Sequence, residues 1–334
     1  MNFPVFQRRV AEALKQKLGE GIVVESNRII KNNGVVLNGI CIRKEGINVS
    51  PTIYLDDLFQ EFRDGRTMNS ILGQLIRVYE RTKIKETVDM EFFKHFDSVR
   101  DKLMYRLVNY EKNREQLEGL PYVRFLDMAI VFACTVCGDA FSDAFILINR
   151  EHCRTWGVNR EKLWETALQN MLRDYGAIIR EMPEVIKEMM QEQLRQDYDN
   201  FCRQQPDFDL QKDKEAWIEE LSRQLLWQIE RDTVAPMYVM GNRTKYYGAG
   251  TILYPGVLRD FAEKKRCSFY HLPCSVHEVI LIPDRGREQI KELQRMVKEV
   301  NESELEPEEV LSASVYYYNA QLEKVTMLSE GKIQ

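Results

Sequence analysis

The densest group of chemically useful side chains in this sequence is His271-Leu272-Pro273-Cys274-Ser275-Val276-His277. A histidine, a cysteine and a second histidine at such short spacing are residue types that bind zinc through imidazole nitrogen and thiolate sulfur. Only three ligands are local, so a fourth would have to arrive by folding from Glu278, Asp284, His152 or Cys267. A turn explains the same stretch without metal, because Pro273 and its neighbours separate two β-rich runs, Ser268–Leu272 and His277–Ile282. A second chemistry would make His277 a catalytic base with Ser275 or Cys274 as nucleophile. Residues two or three apart on an extended segment rarely meet in that geometry, and no G-x-S-x-G elbow occurs in the chain. His277 thus stands as the candidate catalytic residue, and His271, Cys274 and His277 as candidate metal ligands, beside a structural reading of all three.

Two other clusters imitate functional motifs. Cys134-Thr135-Val136-Cys137 has redox-type spacing, yet it ends an apolar run instead of opening a helix, where the dipole would activate a thiol. Gly248-Ala249-Gly250-Thr251 lacks the lysine of a phosphate loop, and no G-x-G-x-x-G follows any strand. Nucleotide hydrolysis through those loops is excluded, and the sequence implies no cofactor.

The elements that must position these residues are those of a folded domain. In 334 residues, 44% are hydrophobic and 30% charged, which places the chain among globular proteins and away from disordered ones. Seven scattered cysteines suit reduced thiols, and no apolar run is long enough for a signal peptide or a membrane span, so the expectation is a cytoplasmic protein. Three N-x-S/T tripeptides, at Asn48, Asn242 and Asn301, are chance matches in that compartment.

Periodicity predicts a helix over residues 1–18, then a hairpin of Ile22–Ile30 and Val35–Arg43 around Asn33-Gly34, a dipeptide suited to the positive φ values of tight turns. Helical stripes follow at Ile71, Leu72, Leu75, Ile76, Tyr79 and at Phe92, Phe96, Val99, Leu103, Leu107. The most apolar run, Phe125–Val136, reads as a central strand, and Ala144–Ile148 as its neighbour. Asn159 caps a helix that runs to about Tyr175. Strands at Met237–Met240 and Tyr246–Leu253 precede a helix begun by Pro255. A helix near Arg287–Val300 and two last strands, Ser314–Tyr318 and Lys324–Leu328, complete the chain. Repeated β-β-α order predicts an α+β fold with an antiparallel or mixed sheet, arranged as residues 1–117 and 118–334.

Residues 184–232 interrupt that succession with a predicted helical hairpin. They hold 13 acidic and 7 basic residues, while the whole chain carries −5, so the remainder comes to +1 and shows no basic stripe for nucleic acid. Ile186, Met190, Leu194, Tyr198 and Phe201 face Ile218, Leu221, Leu225 and Ile229 across the hairpin, with its break at Gln204–Asp207. Trp217 and Trp227 fall off that stripe and are the candidate binding residues.

Six phrases carry a resemblance: residues 48–55, Phe125-Leu126-Asp127-Met128-Ala129, Trp156-Gly157-Val158, residues 253–258, residues 275–283, and Ser314-Val315-Tyr316-Tyr317-Tyr318. Together they are similar to a family of uncharacterised proteins from anaerobic bacteria, the domain of unknown function numbered 5688. The resemblance covers nearly the whole chain, least so residues 184–232, and implies no activity, cofactor or catalytic residue. The expectation from the residues is a non-catalytic protein that binds a macromolecule, a protein with a basic surface, through the acidic arm. Blocking a nucleic-acid-binding partner is a subsidiary form of that reading. The alternative is a hydrolase or metal-dependent enzyme with a site near His277. Direct nucleic-acid or membrane binding is not expected.

Overall fold

The computed structural model describes all residues except 85–86, 88–90, 137–144, 205–213, 233–235, 287–289, 330–331 and 334. Cys137, the turn at Gly138-Asp139 and the helical break at Gln205-Pro206-Asp207 lie outside the described residues, as do the side chains of Phe201 and Ile229. Contacts divide the chain into two compact units, Met1–Val123 with Val131–Ala167, and Arg124–Ile130 with Leu168–Gln334.

The first unit opens with α1 (Phe3–Leu18), capped by Asn2, whose side chain accepts from the Val5 amide at 3.2 Å. Phe6, Val10 and Leu14 recur every fourth residue and are fully buried, each contributing about 1.5–3 kcal/mol of apolar burial. They form one core with strands β1 (Ile22–Ile30) and β2 (Val36–Lys44). These pair antiparallel from Ile22–Lys44 to Ile30–Val36. The connecting Asn33 and Gly34 have φ of 62° and 71°, the left-handed backbone that Asn-Gly tolerates. Strand β3 (Thr52–Tyr54) extends that sheet, and α2 (Asp56–Arg63) and α3 (Met68–Thr82) add Leu58, Ile71, Leu72 and Leu75 to its core.

The stripe from Phe92 to Leu107 is not one helix. A single turn, α4 (Phe96–Val99), gives way to strand β4 (Leu103–Asn109), in which Leu103, Met104, Tyr105, Leu107 and Val108 are all buried. Leu103 and Leu107 satisfy a two-residue period as well as a four-residue one, and burial of both faces selects the strand. After α5 (Arg114–Leu117), the apolar run is also split. β5 (Tyr122–Phe125) and β6 (Met128–Thr135) are separate strands, with Leu126 between them at φ 58°. The sheet order is β4-β6-β5, and β7 (Phe145–Leu147) also pairs with β6. Helix α6 (Arg150–Trp156), unforeseen from periodicity, begins in a reciprocal Asn149–His152 capping box. Helix α7 (Arg160–Asn170) starts with the Asn159 side chain accepting from the Lys162 amide at 2.9 Å.

The second unit is built on a seven-stranded antiparallel sheet. Its strands are β8 (Ile178–Glu181), β9 (Tyr238–Gly241), β10 (Phe269–Leu272), β11 (Val279–Pro283), β12 (Val315–Asn319), β13 (Lys324–Ser329) and β14 (Lys332–Ile333). They lie in the order β14-β13-β12-β10-β11-β9-β8. Helices α8 (Met182–Gln204) and α9 (Lys214–Asp232) fall between β8 and β9, α10 (Val257–Lys265) precedes β10, and α11 (Ile290–Ser303) follows β11. Leu293 and Val297 of α11 pack on Leu272, Ile282 and Val315 of the sheet. The fold is α+β. Residues 246–253 do not form the expected strand: Gly248–Leu253 is a buried 3-10 turn in which the Thr251 hydroxyl donates to the Gly248 carbonyl at 2.7 Å, competing with extended pairing. Among the described residues no helix is long and apolar enough to cross a membrane.

Candidate functional site

Beyond β10 the chain continues as a zipped segment, not a free turn. The carbonyls of Pro273 and Cys274 accept from the amides of Ser312 (3.0 Å) and Leu311 (2.7 Å), and the Val276 amide donates to Glu309 (2.9 Å). This pairing keeps Cys274, Ser275 and Val276 buried and sends the two histidines to different surroundings.

His271 is completely buried in the sheet, edge-on to the Tyr316 ring at 4.9 Å, and neither ring nitrogen has a hydrogen-bond partner. Desolvation lowers its pKa to about 3, so the imidazole is neutral. Burial likewise pushes the Cys274 thiol up to about 11, far from the thiolate a metal or a nucleophilic role requires. Among the described residues, no three His, Cys, Asp or Glu side chains gather as metal ligands, so His271, Cys274 and His277 do not share a centre.

Beside His271 lies a polar cluster that sequence reasoning missed. Asp127 accepts hydrogen bonds from the hydroxyls of Tyr316, Ser312 (2.8 Å) and Ser314 (3.1 Å). Burial and the adjacent Asp127 carboxylate push the Tyr316 hydroxyl pKa well upward. Ser312 and Tyr316 are buried, Asp127 and Ser314 half-buried, and the cluster is a brace with every named hydroxyl satisfied. The advance signal was an aspartate near the start of an apolar run, and spacing alone could not bring it to a serine 185 residues away.

His277 is the residue that reaches a cleft. Its Nδ1 accepts from the Tyr247 amide at 3.3 Å, its Nε2 lies 3.5 Å from Glu309 Oε1, and the Tyr246 and Tyr247 rings flank it at 5.1 and 5.5 Å. An acceptor Nδ1 places the proton of the neutral ring on Nε2, toward Glu309. Ser275 uses its hydroxyl oxygen to accept from the His277 amide at 3.0 Å, and no hydrogen bond joins that hydroxyl to the imidazole. The loop that reaches His277 holds Lys245 and Tyr247 at φ 57° and 51°, and the buried Asn242 ties it together by donating to the Tyr246 carbonyl at 2.8 Å. Gly248 is required there: a Cβ would stand 2.5 Å from the His277 carbonyl and 2.7 Å from the Asn242 amide.

The cleft has a volume of about 580 Å³ and is lined by one face of α8 together with Arg180, Lys245, Glu278, Leu305 and Glu309. Glu188 of α8 anchors that wall, accepting from Arg180 and from Lys245 (2.8 Å), and these bonds hold its carboxyl down to about 2. Glu278 is exposed and, among the described residues, makes no hydrogen bond or ion pair. Partial desolvation raises its pKa, offset in part by His277, Arg180 and Lys245.

The root of α8 packs on β8 and β9, and the main neighbour of α9 is α8. Ile218 and Ser222 of α9 and Val185 of α8 are buried, while Leu225, expected on the inner stripe, is 36% exposed. The two tryptophans part company. Trp217 is half-buried with its ring 6.2 Å from that of Tyr198, whereas Trp227 is 61% exposed.

These features define an α+β protein with a histidine-bearing cleft at the root of a charged helical pair. The chain belongs to a family of unknown function, DUF5688, whose match spans residues 3–320 and thus includes the helical pair. No curated protein and no solved structure matches the chain.

Proposed function

We propose that this is a non-catalytic binding protein whose α8–α9 arm docks a partner protein with a basic surface. The observation that carries this reading is the exposed Trp227 indole on a pair of helices with surplus negative charge. Large exposed aromatics are the usual anchors of protein interfaces. The four described basic side chains of the arm are each held by an arm carboxylate: Lys187 by Glu219 (2.6 Å), Arg195 by Glu215 (2.9 Å), Lys214 by Asp199 (2.6 Å) and Arg223 by Glu220. These described cations are thereby engaged internally, and the arm's surplus of acidic residues favours encounter with a cationic surface. Inhibition of a nucleic-acid-binding partner is a special case of the same reading.

The alternative, a hydrolase or metal-dependent enzyme centred on His277, draws on the left-handed Lys245 and Tyr247 beside that residue, since strained backbone clusters at functional sites. It is disfavoured by the engagement of His277 Nδ1 with a backbone amide, which occupies the lone pair a base would use. Affinity capture with the full chain and with Trp227→Ala separates the readings. Loss of a basic partner at unchanged melting temperature supports docking, and capture that is indifferent to Trp227 contradicts it.

A further inference from the structure

Strand β8 is one edge of the seven-stranded sheet, and among the described residues no strand lies on its outer side. Opposed residues of an antiparallel pair alternate between hydrogen-bonded and non-bonded positions. The Met182 amide donates to the Met237 carbonyl and continues the β8–β9 register, so Arg180 with Val239 and Ile178 with Gly241 are the bonded pairs. Ile179 and Glu181 occupy the alternate positions. Their amide N–H groups, with the Ile179 carbonyl, therefore point away from β9, and outward backbone groups of this kind are a template for another extended chain.

That edge runs along a groove of about 510 Å³, whose other wall is one face of α10, with Val257, Asp260, Phe261 and Lys264 at helical spacing. The floor is apolar: Ile179 is half-buried there, and the buried Tyr238 and Phe261 rings meet edge-on at 5.3 Å. Lys265 holds the Tyr238 ring in place, donating to its hydroxyl at 2.7 Å with the ammonium 3.9 Å from the ring centroid. Around this floor the charges balance, Arg180, Lys264 and Lys265 against Glu181, Glu184 and Asp260, so the groove selects neither an acidic nor a basic ligand. Outward strand groups, an apolar floor and a neutral rim together fit an uncharged extended peptide, with backbone bonds for affinity and alternate side chains for specificity.

We propose that the groove between β8 and α10 receives an uncharged extended segment of a partner protein, added to β8 as a further strand with an aliphatic side chain seated on Tyr238 and Phe261. This goes beyond the arm reading, and Trp227 takes no part in it.

The test uses the full chain, isotope-labelled so that the Ile179 and Glu181 amides are followed by NMR, and the capped pentapeptide acetyl-Ser-Val-Thr-Val-Ser-amide. When its two valines turn their backbone groups to β8, their side chains face the groove. A segment this short binds with a dissociation constant on the order of millimolar. Both amides are expected to move downfield saturably as they become hydrogen-bonded. The same peptide N-methylated at both valines should bind roughly tenfold more weakly, because a donor is lost and the methyl groups hold the strands apart. Glu181→Pro removes an outward N–H and no bond to β9, so it should weaken the unmodified peptide, followed at Ile179, by a similar factor. Amides that stay in place at about 10 mM peptide, or that respond equally to the N-methylated one, overturn the proposal without needing any variant to fold. A concentration-dependent dimer that Glu181→Pro abolishes would assign the edge to a second copy of the chain and overturn it as well. Arm docking is read through Trp227→Ala, so the two claims fail separately.

Discussion

Acid should unfold this protein partly through His271, and replacing His271 with leucine should remove that share. In the folded chain the ring is fully buried, neither nitrogen is hydrogen-bonded, and the pKa is lowered to about 3 from an ordinary 6.5. The unfolded chain binds a proton near pH 6.5 and the folded chain does not. Stability is therefore fully present above pH 6.5 and is lost as pH falls from there toward 3. Each pH unit in that window costs about 1.4 kcal/mol, so moving from pH 7.5 to 4.5 removes about 2–3 kcal/mol through this residue alone. The window lies above the folded value, so the loss is set by the unfolded pKa and hardly by how low the folded one is. His271→Leu should also be no less stable at pH 7.5, because the unpaired nitrogens it removes cost about 1–3 kcal/mol to bury. Urea unfolding of both proteins at pH 7.5, 6 and 4.5 measures the difference directly, with all other titrating groups common to both. Parallel pH profiles would refute the reasoning, as would a leucine variant that is strongly destabilised at pH 7.5 and equally acid-sensitive.

Other perturbations test the scaffold. Gly34→Val should lower stability by about 1 kcal/mol or more, seen in a thermal melt, because a β-branched residue resists the φ of 71° found there. Gly248→Ala should displace the loop from His277, since its Cβ would press on two backbone groups; a changed His277 ring resonance together with a lower melting temperature checks this. Tyr316→Phe removes a donor from Asp127 inside the brace and should cost about 1–3 kcal/mol in urea unfolding, whereas an unchanged midpoint would show that the cluster is not a brace.

Local chemistry made much of the fold legible. The Asn33-Gly34 turn, the Phe6-Val10-Leu14 face of α1 and the Asn159 cap each act within a few residues, so their signals are written contiguously. Where two periods fit the same residues the sequence was ambiguous, and Leu103 and Leu107 became strand because burial on both faces decided it. Leu126 broke an apolar run with a left-handed residue that no composition rule announces. Of the site, His277 was visible as a residue type in a suggestive cluster, but its neighbours were not. Tyr247 is 30 positions away in the chain, and Glu309 and Glu188 also reach it only through tertiary folding. The metal-like trio was a coincidence of spacing that pairing with residues 309–312 pulled apart. The exposure of Trp227 and the partial burial of Trp217 likewise depend on helix rotation, which the stripe defined only coarsely.

The central claim is that the α8–α9 arm docks a partner and is dispensable to the fold. Residues 184–232 can be replaced by a Gly/Ser bridge, because the flanking Met182 amide donates to the Met237 carbonyl at 2.9 Å and ties together the segments on either side of the arm. The direct measurement is quantitative affinity capture with the deletion variant beside the full chain, after circular dichroism of both. The account predicts a folded variant that has lost the basic partner retained by the full chain. An unfolded variant would assign the arm to the core, and a folded variant that captures the same proteins in the same amounts would contradict the claim.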